Sequence, residues 1–253
     1  HPVAHSFPTR RSSDLWRVAG FEPAGPGFGA AADPRPSDFG VSDETLETVR
    51  RHGDWLPIPV PGDVNQALVD AGRMPDPHYD TQARKCYWVT AREWWYRLSF
   101  HVESAAPSFA AGELCFDGID GTAEVYLNGA RLGVARNAFR PHRFPVAGVL
   151  LDGENELLLR FRSVDELLGG PRLDELRGWG GRRAFLRKPQ FNFGWDWALP
   201  LPSIGLSGQV RLEPSRARLV DFSLRPFVSG RVDVAWEAFG AAASGSPYSP
   251  ASS

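Results

Sequence analysis

The sequence has little or nothing of several features that mark whole classes of protein. Only two of its 253 residues are cysteines, Cys86 and Cys115, which is too few for a disulfide scaffold and too isolated for a zinc site. No run of about 18 apolar residues occurs, so we expect no membrane-spanning segment. The formal net charge of -2 gives no electrostatic reason to expect a nucleic-acid partner.

Motifs for metals and cofactors are also missing. The histidines His78, His101 and His142 show neither HxxxH nor HExxH spacing, and the sequence contains no glycine-rich phosphate loop and no GxSxG elbow. We therefore predict no metal and no cofactor.

The two ends of the chain differ in composition from the rest. Residues 1–15 lack the apolar stretch of a secretory signal and resemble translated sequencing-adaptor read-through, so we interpret them as a non-native or disordered leader. Because no signal peptide is visible, we expect a cytoplasmic location. Residues 241–253 are rich in Ala, Gly, Ser and Pro, a composition typical of a linker or a truncated tail.

Two short helices are expected in the first third of the chain. Ser42, with a carboxylate following in the first turn, could cap a helix that opens at 43–46. Apolar residues at helical spacing predict a second helix over 65–71, capped by Asp63 and ended by Gly72.

From Tyr87 onward the pattern changes to strands. Residues 94–102 alternate and are rich in aromatics, and Asn128-Gly129 predicts a hairpin because both residues tolerate a positive φ. Further segments that we assign as strands are 113–119, 139–146, 156–163, 190–197 and 209–213. Short strands separated by turn signals predict an all-β antiparallel sandwich, or jelly roll, over residues 16–214.

The strand pattern starts again after Pro214. Residues 218–226 and 231–239 have the pattern of a hairpin, so we assign 215–240 to the start of a second β domain. Two strands cannot bury a core. We therefore expect that the chain is truncated shortly after this domain begins.

The segment 190–197, Gln-Phe-Asn-Phe-Gly-Trp-Asp-Trp, carries the most suggestive chemistry. Indole rings stack on the C–H faces of sugars, and a carboxylate can accept hydrogen bonds from two neighbouring hydroxyls. In a strand, Trp195 and Trp197 would share one face and Asp196 would point away, whereas a loop would let all three converge. The residues alone leave two interpretations open: an aromatic core strand, or a sugar-binding site.

Basic residues precede this segment, namely Lys188 and the arginines at 177, 182, 183 and 187. They form either a solvated basic loop or a group from which one member orients Asp196 by a charge pair. The acids Asp174, Glu175 and Asp196 have no spacing that forces the carboxylate separation of a glycosidase pair. We therefore predict no catalytic residue in this chain.

Several motifs, in this order, resemble the N-terminal domain of β-mannosidases of glycoside hydrolase family 2, over about residues 16–224. Those that the whole family shares are Trp94-Trp95-Tyr96-Arg97, Val125-Tyr126-Leu127-Asn128-Gly129 and Gly153-Glu154-Asn155. The more specific motif is Phe191-Asn192-Phe193-Gly194-Trp195-Asp196-Trp197.

The resemblance implies a jelly-roll, galactose-binding-like sugar-binding domain, then an immunoglobulin-like sandwich, of which 215–240 would be the start. A (β/α)₈ barrel with both catalytic glutamates of a retaining mechanism would follow. Such a barrel needs about 250 residues and is absent from this chain, so we expect the chain alone to be inactive. The resemblance assigns substrate binding to Trp195, Asp196 and Trp197, in a loop that closes over a terminal β-D-mannose.

The implied partners are a β-mannoside oligosaccharide or glycoside and the barrel of the same enzyme. Two alternatives remain open at this point. One is a free-standing carbohydrate-binding module. The other is a fragment of a related exo-β-glucosaminidase or endo-β-mannosidase of the same family.

Overall fold

Strands dominate the part of the chain that the computed structural model describes, which is residues 5–6, 16–23, 40–103, 112–169, 181–214 and 218–239. The strands are β1 His5–Ser6, β2 Arg17–Phe21, β3 Leu56–Pro57, β4 Gly62–Asp63, β5 Glu93–Val102, β6 Glu113–Phe116, β7 Ile119–Asp120, β8 Ala123–Leu127, β9 Ala130–Ala135, β10 His142–Pro145, β11 Gly153–Phe161, β12 Gly205–Leu206, β13 Val210–Glu213, β14 Arg218–Pro226 and β15 Val232–Phe239. The α-helices are α1 Asp43–His52, α2 Val64–Asp70 and α3 Val164–Leu168.

Two antiparallel sheets form a sandwich. One has the strand order β3-β2-β5-β11-β8-β9, the other β1-β13-β6-β10, and a small third sheet has the order β4-β12-β7. Side chains of both larger sheets, among them Trp94 and Leu157 from one and Phe116 and Phe144 from the other, belong to a single buried cluster. The expected all-β sandwich is therefore confirmed.

Strand β5 is buried on both of its faces, because helix α1 covers the face that points away from the sandwich core. Trp94 and Tyr96 point into the core, whereas Trp95 packs with Leu46 and Val49 of α1. All three aromatic side chains are at most 2% exposed. This double coverage explains why the aromatic-rich run of β5 is buried without the alternation expected of a half-exposed strand.

The sheet face beneath α1 also holds a buried ionic network. Arg160 donates from Nη2 to Glu93 Oε1 at 2.5 Å and from Nη1 to Glu124 Oε1 at 3.0 Å. Arg162 lies 3.3 Å from Glu93 and 3.7 Å from Glu124, and Tyr126 Oη donates to Glu124 Oε2 at 2.6 Å. Buried charges persist only when they are paired in this way, and the strand pattern alone did not reveal this network.

Both predicted helix caps are confirmed. The Ser42 side chain accepts a hydrogen bond from the Thr45 backbone N–H at the start of α1, and Asp63 accepts from the Gln66 N–H at the start of α2. The Asn128-Gly129 turn between β8 and β9 has φ values of 50° and 85°, as the hairpin prediction requires.

Two of the strand assignments are wrong. Residues 87–91 form a 3₁₀-helix rather than the beginning of a strand, and β5 starts at Glu93. Segment 190–197 begins with a 3₁₀-helix and continues as a turn. At 190–197, Pro189 and Gly194 flank the 3₁₀-helix, and local turn chemistry overrides the strand propensity of the aromatic residues.

Most residues at the two ends of the chain, including the linker or tail expected at 241–253, lie outside the described residues. His5 and Ser6 pair with Leu212 and Arg211 at the edge of the four-stranded sheet, while the non-native origin of 1–15 stays a prediction. Strands β14 and β15 form the hairpin expected after Pro214. No helix among the described residues is long and apolar enough to cross a bilayer.

Candidate functional site

The segment that carries Trp195, Asp196 and Trp197 is a loop with two tight turns. Residues Gln190–Phe193 form a 3₁₀-helix that ends at Gly194, whose φ of 105° favours glycine. Trp195 N–H then donates to Ala198 O at 3.1 Å, and Ala198 N–H donates to Trp195 O at 3.3 Å. The backbone therefore reverses at the Trp-Asp-Trp sequence, and the alternation of a strand does not apply there.

The side chains of this turn are exposed. Trp195 is 42% and Trp197 69% exposed, and Asp196 is exposed as well. The Trp197 ring packs against Phe191 with centroids 5.2 Å apart. The interpretation of this segment as an aromatic core strand is therefore wrong.

An open cleft with a volume of about 1100 Å³ lies next to the turn. Trp195, Asp196 and Trp197 line one side, and the start of α2 and residues 76–80 line another. Asp120 at the end of β7 and Ser203 at the end of the loop also line the cleft. The three residues singled out by sequence are thus brought together at one concave surface, the usual geometry of a small-molecule site.

The cleft is acidic. The aspartates that line it are Asp63, Asp76, Asp80, Asp120 and Asp196, and the described lining residues include no lysine or arginine. Three of these carboxylates have partners within the protein. Asp63 caps α2, Asp76 accepts from the His78 N–H at 2.9 Å, and Asp120 pairs with the ammonium group of Lys188. Carboxylates at a concave surface accept hydrogen bonds from hydroxyl or ammonium groups and repel anionic ligands.

Among the basic residues before the loop whose side chains the structure describes, none forms the charge pair with Asp196 that we considered. Within the described part of the chain, no cation lies within 4.0 Å of that carboxylate. Arg183 instead donates to the backbone carbonyl of Gly194 at 3.2 Å. Arg177 and the side chain of Arg182 lie outside the described residues.

Lys188 is not part of a solvated basic loop either. It is 4% exposed, and its ammonium group donates to Asp120 and to Ser203 O. Burial lowers the pKa of Lys188, against the opposing attraction of Asp120. Sequence reasoning missed this contact because its members are far apart in the chain. The one available signal was that Lys188 and Lys85 are the only lysines.

The sequence of the region that forms this cleft matches a known protein family. Residues 42–208 match the family described as "glycosyl hydrolase 2 galactose-binding domain-like". The chain belongs to this family. The match includes strands of both larger sheets, the three α-helices and the Trp-Asp-Trp loop.

Individual relatives are consistent with the family match. The chain is 33% identical over 175 residues to "Beta-mannosidase B" of Aspergillus terreus. The aligned region covers 66% of this chain and 21% of that protein. It is 29% identical over 216 residues to "Beta-mannosidase" of Mus musculus, covering 81% of this chain and 23% of that protein.

A solved structure also matches. The β-D-mannosidase of Dictyoglomus thermophilum superposes with a TM-score of 0.66 at 28% sequence identity, over 88% of this chain and 25% of that one. The chain thus spans about a fifth to a quarter of the length of the relatives that it matches. It corresponds to a non-catalytic sugar-binding-type domain of a family 2 enzyme.

Proposed function

We propose that this chain supplies one wall of the sugar pocket of a longer glycoside hydrolase that removes terminal, non-reducing β-D-mannose. Trp195 and Trp197 stack on the sugar ring, and Asp196 accepts hydrogen bonds from its hydroxyls. The observation that carries the proposal is the exposed Trp-Asp-Trp turn at the rim of the 1100 Å³ cleft. The names of the relatives support the choice of mannoside.

The bond-breaking step belongs to another part of the longer enzyme in this proposal. A retaining glycosidase needs two carboxyl groups about 5–5.5 Å apart, which we assign to glutamates of a (β/α)₈ barrel of about 250 residues. The cleft in this chain is open on one side, so a barrel could close it. Hairpin β14–β15 would begin the immunoglobulin-like domain between the two, and its exposed apolar face supports this assignment.

A related specificity has one observation in its favour. The acidic lining of the cleft suits a cationic amino sugar as well as a neutral one, so an exo-β-glucosaminidase is the second candidate. An endo-acting mannosidase and a free-standing sugar-binding module would use the same turn. With any of these four candidate functions, the cleft disfavours a uronic acid, because the carboxylate of that sugar would face several aspartates.

Titration of the chain with sugars tests the proposed contact. We expect methyl β-D-mannoside to bind with a Kd of about millimolar, since half the pocket is missing, and to shift the indole N–H resonances of Trp195 and Trp197. Asp196→Asn, which removes a charge-assisted hydrogen bond, and Trp197→Ala, which removes a stacking ring, should each weaken binding at least about tenfold. Trp236→Ala is the matched control, because Trp236 is equally accessible at 62% exposed but lies outside the cleft lining.

The same titration ranks the candidates. An affinity that is highest for the mannoside, lower for the glucosaminide and lowest for the glucuronide supports the mannosidase. The highest affinity for the glucosaminide supports the amino-sugar enzyme. Equal loss of affinity in Trp236→Ala would show that binding is not at the turn. If this chain hydrolysed an aryl β-mannoside and Asp196→Asn abolished that activity, the proposal that the barrel carries out the bond-breaking step would be wrong.

A further inference from the structure

The ammonium group of Lys188 joins the two ends of the loop that carries Trp195, Asp196 and Trp197. Lys188 lies at the start of this loop and donates from Nζ to Ser203 O, at the loop's far end, at 2.6 Å. The same nitrogen donates to Asp120 Oδ1 at the end of β7. One buried cation thus ties both ends of the loop to the sandwich.

Asp120 uses its second oxygen to hold the same loop. Its Oδ2 accepts a hydrogen bond from Ser203 Oγ, and Ser203 Oγ in turn accepts from Asn192 Nδ2 at 3.0 Å. Asn192 belongs to the 3₁₀-helix directly before Gly194 and the Trp-Asp-Trp turn. The carboxylate is therefore a hub that connects residues 188, 192 and 203.

Neighbouring carbonyls at the far end of the loop are also bound from the sandwich. Pro202 O accepts from Asn65 Nδ2 at 3.2 Å. Ile204 O accepts from the Val64 N–H and from Tyr96 Oη, each at 3.0 Å. Together with the Lys188 bond to Ser203, three consecutive carbonyls are fixed.

A buried ammonium group is an expensive way to obtain stability alone. Removing a charge from water costs several kcal/mol, and an apolar replacement of similar volume is often at least as stable. A lysine presents three donors at one point, so it can satisfy a carboxylate and a carbonyl from two separate segments at once. The contact therefore makes sense as a device that fixes geometry.

We infer that Lys188, with Asp120 as its hub, is the positioning residue of the Trp-Asp-Trp loop and keeps the three side chains pre-organised for the sugar. This inference rests on the proposed function for its sugar readout, but the geometry of the loop can be tested without sugar. Pre-organisation matters because ordering a loop on binding would subtract from an affinity that is already weak.

Backbone hydrogen exchange measured by mass spectrometry tests the inference. Lys188→Met should speed exchange in residues 189–202 at least about tenfold, while exchange in 93–102 of β5 stays unchanged. It should also weaken mannoside binding by a similar factor. Lys85→Met is the matched control, because Lys85 is exposed and should change neither readout.

The double variant separates positioning from plain destabilisation. Asp120→Asn in the Lys188→Met background removes the uncompensated carboxylate, so it should restore the denaturation midpoint but neither loop protection nor affinity. If Lys188→Met fails to fold, Lys188→Gln, which keeps an uncharged donor, should show an intermediate loss of protection. Unchanged protection and affinity in a folded Lys188 variant would overturn the inference. Loss of loop protection without any sugar binding by the parent chain would instead contradict the proposed function alone.

Discussion

Two pairs of antiparallel strands in this chain both carry an apolar face, but they differ in how far that face is buried. Strands β5 and β11 pair over 94–102 and 153–161, and β14 and β15 pair over 218–226 and 232–239. Both pairs carry aromatic and aliphatic side chains on one face. In β5–β11 the sandwich core and α1 cover both faces, whereas in β14–β15 the apolar face is exposed.

The hairpin is strongly amphipathic. Phe222 lies opposite Trp236 and Leu224 lies opposite Val234 in the strand register, and these four side chains are 58–62% exposed. The other face presents pairs such as Arg225 and Asp233. A strand pattern therefore predicts which face of a hairpin is apolar, but it does not say what covers that face.

The largest expected difference concerns the tryptophans of the two pairs. Trp95 is 1% exposed and stacks on Tyr126 with centroids 6.1 Å apart, so Trp95→Ala should lower the free energy of unfolding by about 3–5 kcal/mol. Trp236→Ala removes an exposed ring and should change it by less than about 0.5 kcal/mol. Urea unfolding followed by circular dichroism measures both.

The same two variants probe self-association. Because exposed apolar patches promote aggregation, Trp236→Ala should raise the concentration at which the chain stays monomeric in light scattering. If Trp236→Ala were as destabilising as Trp95→Ala, the apolar face of the hairpin would have to be covered in solution. The comparison between the two strand pairs would then fail.

A somewhat smaller effect is expected for the polar side chains of the two pairs. Arg160→Met leaves Glu93 and Glu124 buried without their main partner, which should cost about 3 kcal/mol. The value lies at the lower end for a broken buried pair because Arg162 still lies 3.3 Å from Glu93. Arg225→Met on the hairpin is the control, and it should have no measurable effect, since charges at an exposed surface contribute little to stability.

Burial of Glu93 gives this variant a second readout. Burial raises the pKa of Glu93, although hydrogen bonds from Arg160 oppose the rise. Removing the guanidinium removes that opposition, so the pKa should rise further and the penalty of Arg160→Met should shrink as the pH falls. An equal penalty at pH 5 and pH 8 would contradict the account of an uncompensated carboxylate.

The sequence was sufficient for those parts of the fold that depend on local patterns. The caps at Ser42 and Asp63 and the turn at Asn128-Gly129 each rest on a few adjacent residues, and the structure confirms them. The network around Arg160 was not predicted, because its charges come from three strands that only the sheet register brings together. A period-two pattern places them on one face but does not say that a helix buries that face.

In the candidate site, too, the sequence indicated what depends on adjacent residues and missed what depends on distant ones. Residue chemistry pointed to Trp195, Asp196 and Trp197, although it could not separate a core strand from a binding loop, because aromatic residues favour both. The 3₁₀-helix and the positive φ of Gly194 decide between them. Asp120, by contrast, is 68 positions away from Lys188, and no local pattern marks the two as partners.

The smallest expected effect concerns two surface ion pairs, one at the end of β6 and one on the hairpin. Arg211 holds Asp117 with two hydrogen bonds, of 2.7 Å and 2.9 Å, which lower the pKa of that carboxyl below its usual 3.8. On the hairpin, Arg231 and Asp233 share a single contact of 3.2 Å with both side chains more than half exposed. A bidentate pair is better defined than a single exposed contact.

Acid unfolding separates the two ion pairs. Because the folded-state pKa of Asp117 lies below the unfolded-state value, its contribution to stability is present above pH 3.8 and is lost as the pH falls through the folded-state value. Asp117→Asn should therefore lower stability slightly at neutral pH and flatten the loss on acidification. Arg211→Met should have a similar effect, with a small further loss from its 3.4 Å contact with Glu213. The double variant should add little to Arg211→Met, because the two changes share the Arg211–Asp117 interaction. A full additive loss in the double variant would show that the two residues act independently, and Asp233→Asn should leave the neutral-pH midpoint unchanged.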